Sequence, residues 1–144
     1  MSERWSDSVD VLTAELLREF DTIVFVGLSS HPEKVAHSIP AAMQRFGWRV
    51  IPVNPNAGSS LLGEQVYPRL ADVPSSLVGL VNVFRPASDC SDIARQAVAA
   101  GAKALWLQEE IVSVEAREIA TAAGLRYVED RCIAVERARH AISR

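Results

Sequence analysis

Five short, largely apolar runs punctuate this chain: Ile23–Val26, Arg49–Val53, Gly79–Phe84, Ala104–Leu107 and Leu125–Val128. Runs of this length that do not alternate with polar residues suit strands covered on both faces. Between them the spacing changes to that of helices. Val9, Leu12, Leu16, Leu17 and Phe20 recur at helical intervals with Asp10, Glu15, Arg18 and Glu19 interleaved, which predicts an amphipathic lead-in helix over Ser8–Phe20. A second helix is expected to begin at Pro32, whose fixed φ suits a first turn. Its buried stripe is Ile39, Met43 and Phe46, Pro40 kinks it, and Gly47 ends it. A third follows Pro86, with Ser88 as cap, Asp89 in the first turn and a stripe of Ile93, Ala97 and Val98 ending at Gly101. Ser113 caps a fourth helix that runs through Ala123 to Gly124, with Glu115 near its start, and a last one spans Cys132–Ser143. Asn54–Ser60 reads as a loop of turn formers, and Gln65–Tyr67 as a short edge strand before Leu70–Val73.

Strands alternating with helices of about a dozen residues predict right-handed crossovers. The expected fold is α/β, a Rossmann-like, doubly wound and mainly parallel sheet with helices on both faces. The 144 residues are the size of one domain, read as a lead-in helix over residues 1–20 and a core over 21–140. A net charge of −3 argues against a general nucleic-acid surface, so any anion site must be local. No apolar run reaches the ~18 residues of a membrane span and no targeting stretch opens the sequence, which predicts a cytoplasmic protein away from membranes. Cys90 and Cys132 cannot build a disulfide framework or a cysteine zinc cluster, and no metal site is expected.

In open parallel sheets, ligands bind beyond the carboxyl ends of the strands. Five loops lie there: Gly27–Lys34, Asn54–Ser60, Arg85–Pro86, Gln108–Glu110 and Asp130–Cys132. Three of them carry a cation, Lys34, Arg85 or Arg131, which predicts a basic cleft in an acidic protein. The first loop joins a buried strand to a helix N-terminus, where free N–H groups and the helix dipole suit a phosphate. Only Gly27 matches the three-glycine dinucleotide fingerprint, Ser29 and Pro32 standing where the other two belong. A ribose-binding carboxylate is also missing, since Asn54 follows the second strand. Both departures disfavour NAD, and the second suits a ligand with an additional ribose phosphate.

The ordered set Val26-Gly27-Leu28-Ser29, Pro32-Glu33-Lys34, Gly47 to Pro55, Leu62-Gly63-Glu64, Val83-Phe84-Arg85, Gly101 to Gln108 and Asp130-Arg131-Cys132 resembles the small stand-alone CoA-binding protein family. That family is similar in fold to the N-terminal CoA-binding domain of the succinyl-CoA synthetase α subunit. The resemblance spans about residues 21–140 and implies noncovalent binding of coenzyme A or an acyl-CoA. It implies that Gly27, Leu28 and Ser29, with Ser30 nearby, surround the CoA diphosphate, and that Lys34 adds charge to a phosphate. Pro52, Asn54 and Pro55 would border the adenosine, Phe84, Arg85 and Pro86 would run along the cofactor, and Trp106 with Gln108 would line the pantetheine end. Arg131 and Cys132 belong to the same set, and Cys132 is a candidate for a mixed disulfide with the CoA thiol. Leu28 stands where many relatives have alanine.

Each residue also has a plainer reading. Gly27 serves any tight turn, Lys34 is by default solvated, Arg85 can lie over the sheet edge, and Trp106 in an apolar strand suits the core. His31, His37 and His140 are scattered, and no nucleophile elbow surrounds Ser29 or Ser30, so no catalytic set is visible and no catalysis is expected. The chain is also too short for the phosphohistidine and nucleotide-binding parts of a ligase. A sensor, carrier or accessory role is therefore expected, with an NAD(P)-binding redox sensor or oxidoreductase as the alternative. A scaffold with a vestigial cleft is the third reading. The apolar face of the lead-in helix is a candidate homodimer contact.

Overall fold

The structure, a computed structural model, describes residues 2–144, with side chains from Ser8 onward. Five strands, β1 (Thr22–Val26), β2 (Arg49–Val53), β5 (Leu80–Val83), β6 (Ala104–Leu107) and β7 (Arg126–Val128), form one sheet in the order β2-β1-β5-β6-β7. Every neighbouring pair is parallel. Helices α1 (Ser2–Glu19), α2 (Val35–Arg45) and α5 (Ile133–Arg139) pack with one face, α3 (Ala87–Ala99) and α4 (Val114–Ala122) with the other. The doubly wound Rossmann-like reading is therefore correct.

Strand alternation explains the two cores. Val24, Val26, Ile51, Val53, Val81, Val83, Leu105 and Leu107 face α3 and α4, which bring Cys90, Ile93, Ala94, Ala97, Ala116 and Ala120. Ile23, Phe25, Val50, Leu80, Trp106 and Val128 face the other way, onto Leu16, Leu17, Met43 and Ile133. Small residues on α3 and α4 let the helices sit close to β-branched strands, while the α1 face takes the large side chains.

Several expectations need correction. Residues 31–34 form a turn in which the Lys34 N–H donates to the His31 carbonyl (3.0 Å), so α2 begins at Val35 rather than Pro32. Phe46 lies at the C-cap of α2 and is 41% exposed, with the Arg137 guanidinium stacked 3.6 Å from its ring centre, so it leaves the buried stripe. Pro86, not Ser88, precedes α3, and no side chain caps it. The last helix stops at Arg139, and Ile142 turns back into the core. Within 60–67 a two-residue hairpin forms, β3 (Ser60–Leu61) with β4 (Glu64–Gln65), and Tyr67 alone bridges to Val53. Leu16 and Leu17 of α1 are fully buried against its own sheet, so these two residues serve this chain's core.

α1 is fixed at its middle by charge. Asp10 accepts from Arg131 Nη1 (2.9 Å) and from both terminal nitrogens of Arg139, and buried Glu136 accepts from the same two arginines and from the Thr13 hydroxyl (2.9 Å). Hydrogen bonds from Arg131 and then Arg139 hold the Asp10 carboxyl below its ordinary value of 3.8. A carboxyl lowered on folding contributes stability that is present above its unfolded pKa and is lost as pH falls through the folded value. Stability measured by urea between about pH 4 and pH 2 should therefore fall less steeply in Asp10→Asn than in the parent. Equal slopes would remove Asp10 from the account.

Candidate functional site

The strand order reverses direction between β1 and β5, because the chain first winds outward to β2 and then returns across β1 to β5, β6 and β7. This is the switch point at which crevices open in such sheets. Register brings the loops to one level: Val26 pairs with both Val53 and Val83, so Gly27, Asn54 and Phe84 leave the sheet side by side. A cleft of about 310 Å³ opens there on the α3 side, and its lining includes Gly27, Asn54, Pro55, Arg69, Arg85 and Asp89.

Gly27 is required twice over. Its φ of +93° lies in the left-handed region, and a Cβ there would sit 2.8 Å from the Phe84 carbonyl oxygen. Its N–H donates to the Val53 carbonyl (2.8 Å), continuing the sheet for one more residue. Beyond it the loop is pinned by its acceptors. Asn54 Nδ2 donates to the Leu28 carbonyl (3.0 Å), while its Oδ1 takes the Asn56 N–H (2.9 Å) in an Asx turn. The Ser29 hydroxyl accepts the His31 N–H (3.0 Å). The N–H groups of Leu28 and Ser30 find no acceptor among the described residues. Ser29 differs from expectation here, because its own N–H is spent on the Ala36 carbonyl (3.0 Å). Leu28 contributes backbone only, its side chain being fully buried.

The cations are arranged differently from the predicted basic cleft. Arg85 Nη2 lies 2.8 Å from Asp89, one helical turn on, with half the arginine side chain in solvent. Exposed pairs of this kind contribute about 0–1 kcal/mol, so an incoming phosphate can take Arg85 at little cost. Arg69, which the sequence reading missed, also lines the cleft and pairs with Asp72 (3.3 Å). Nothing local marks it; it arrives because Tyr67 bridges back to Val53. The Arg85–Asp89 pairing, in contrast, was readable from its four-residue spacing. Lys34 is exposed and has no carboxylate partner among the described residues. Pro86 is exposed at the start of α3, and Phe84 is half-buried and stacked on Phe25 with ring centres 6.2 Å apart.

Four named residues do not line this cleft. Trp106 is fully buried and its indole N–H donates to the Arg131 carbonyl (2.8 Å), so it supports the Asp130–Cys132 loop from beneath instead of lining the cleft. Gln108 is 3% exposed, and its Oε1 accepts from Asn82 Nδ2 (3.3 Å) and the Ile133 N–H (2.9 Å), fixing the start of α5. Pro52 is buried within β2, where an edge strand tolerates its missing donor. Arg131 is committed to Asp10 and Glu136 on the α1 side of the sheet. Cys132 is half-buried at the N-cap of α5, and Cys90 is buried, its thiol pushed up to about 11 by desolvation and then by Asp89. Among the described residues no helix is long and apolar enough to cross a membrane, and no group of His, Cys, Asp and Glu is placed to hold a metal.

Comparison with known proteins agrees with this geometry. The model of the CoA binding domain family matches residues 21–138. Among curated proteins, the uncharacterized protein YneT of Bacillus subtilis is 32% identical over 124 residues, covering 86% of this chain and 90% of its own. Among solved structures, a hypothetical protein from Pyrococcus horikoshii superposes with a TM-score of 0.84 at 32% identity, over 90% of both chains. At the level of fold alone, the dinucleotide-forming acetyl-coenzyme A synthetase 1 of Ca. Korarchaeum cryptofilum matches at 23% identity and a TM-score of 0.63, over 74% of this chain and 25% of that one. The matched span runs from just before β1 almost to the end of α5 and takes in all five parallel strands, so the chain belongs to the CoA binding domain family.

Proposed function

We propose that this chain binds coenzyme A or an acyl-CoA noncovalently at the carboxyl ends of β1, β2 and β5, as a cytoplasmic carrier, sensor or accessory protein without catalysis of its own. The observation that carries this reading is the β1–α2 loop: its Leu28 and Ser30 N–H groups are free beside Gly27, while its neighbouring carbonyls are occupied. A surface of donors without acceptors suits an anion. The first turn of α2 carries no acidic residue, and Lys34 stands at its N-cap. The diphosphate of CoA fits this loop; Arg85 and Arg69 line the cleft beside it, and Lys34 at the N-cap of α2 adds charge to the same loop. Asn54 in place of a carboxylate removes a repulsion that the ribose phosphate of CoA would otherwise meet.

A nucleotide without the pantetheine arm tests the assignment. In a thermal shift experiment, CoA at 100-fold excess over its Kd should stabilise the fold by about 2.7 kcal/mol. That corresponds to a rise of roughly 5–10 °C in Tm for a domain of this size. NADPH at the same concentration should give a smaller rise. A response to NADPH with none to CoA would transfer the site to the redox reading.

A further inference from the structure

We propose that His37 and Pro40, two residues of α2 outside the cleft lining, are positioning residues that clamp the Ser29 peptide and thereby aim the Leu28 and Ser30 N–H groups at the ligand's diphosphate. The inference rests on the reading above for the identity of the ligand, but its geometry is independent of that identity. His37 Nδ1 lies 2.7 Å from the Ser29 carbonyl oxygen, so the ring donates to it from Nδ1 and leaves Nε2 as the other nitrogen. The Ser29 N–H donates in turn to the Ala36 carbonyl at 3.0 Å. Both backbone polar groups of one loop residue are thus tied to adjacent positions of the same helix.

The acceptor at Ala36 is open for a covalent reason. In a regular helix that carbonyl would take the N–H of residue 40, four positions on. Pro40 lies inside α2 and has no N–H, and a proline ring pushes the carbonyl four residues earlier away from the helix axis. The proline that looks like a flaw in the helix therefore supplies the loop with an anchor. Asn54 holds the preceding carbonyl, that of Leu28, from the other side. With the Leu28 and Ser29 carbonyls both occupied, neither of these two acceptors is left to turn toward an anion. Its orientation is set before any ligand arrives, and preorganised donors bind more tightly than donors that must first be ordered.

Calorimetry on the full chain with two probes, CoA and inorganic pyrophosphate, tests the clamp. His37→Leu keeps the bulk and removes the donor, and should weaken both probes about tenfold, the worth of one hydrogen bond in a constrained loop. His37→Asn places Nδ2 where Nδ1 stood and should stay within about threefold of the parent. Pro40→Ala restores an N–H that competes for the Ala36 carbonyl. It should weaken both probes and speed exchange of the Ser29 amide, yet be no less stable than the parent, since alanine is the better helix residue. A merely structural role would move stability and spare this pattern. Parent affinity in His37→Leu, or equal losses in His37→Leu and His37→Asn, overturns the proposal. The expected pattern with pyrophosphate but no binding of CoA keeps the clamp and removes the CoA assignment; binding of neither removes both.

Discussion

Gly27→Ala is expected to be the most damaging single-methyl change near the site. The added Cβ must adopt a φ of +93° and lies 2.8 Å from the Phe84 carbonyl oxygen and 3.1 Å from Arg85 Cδ. The first demand alone costs roughly 1–2 kcal/mol. The second adds to it, because the Phe84 carbonyl belongs to the residue just past β5 whose N–H is bonded to the Val26 carbonyl (2.8 Å), so moving it disturbs the end of the sheet. A loss of at least about 2 kcal/mol in urea unfolding is expected. Gly58→Ala isolates the conformational part, since that glycine also has positive φ, +80°, but no atom within 4 Å of where its methyl group would sit. The difference between the two variants reports the contact. Gly27→Ala should also weaken CoA at least tenfold, or about 1.4 kcal/mol, by moving the start of the loop. Equal stability losses in the two variants would mean that the sheet yields around the methyl group.

Glu136→Ala should destabilise comparably or more. Glu136 is 2% exposed and accepts from Arg131, Arg139 and Thr13. Removing one member of a buried ionic group costs about 3–5 kcal/mol when the remaining charge is left uncompensated. Here Arg131 and Arg139 keep Asp10, which places the expected loss near 3 kcal/mol. Arg139→Ala, with 48% of that side chain already in solvent, should cost less than about 1 kcal/mol. Urea unfolding of the two variants measures this ranking, and a smaller loss in Glu136→Ala than in Arg139→Ala would show that the buried carboxylate is not the centre of the network. Because Trp106 holds the Arg131 carbonyl while Glu136 and Asp10 hold its guanidinium, the loop before α5 is gripped from both ends.

The layout of the sheet was legible because β1, β2, β5, β6 and β7 are buried on both faces and must read as apolar runs. Loop positions at the switch point followed from topology, so Gly27, Asn54, Pro55 and Arg85 were found at the cleft. Side-chain direction was not legible. Trp106, Gln108 and Arg131 occupy strand ends that a ligand could reach in principle, and only tertiary partners far away in sequence, Asp10 above all, draw Arg131 elsewhere. The start of α2 was misplaced for a local reason. Proline suits a first helical turn and a β-turn equally well, and here the 31–34 turn claimed Pro32.

The Tyr67 bridge has a consequence for how molecules of this protein meet. A strand margin with unpaired N–H and C=O groups is a template for another strand. At β2 that margin is partly capped from within: Tyr67 exchanges hydrogen bonds with Pro52 and Asn54, and Arg49 is tied across to Glu64 at 2.9 Å. At the opposite margin β7 is only three residues long, with Arg126 drawn to Glu19. Strand addition is disfavoured at both borders, and at the β2 border it is guarded against by the same excursion that delivers Arg69 to the cleft.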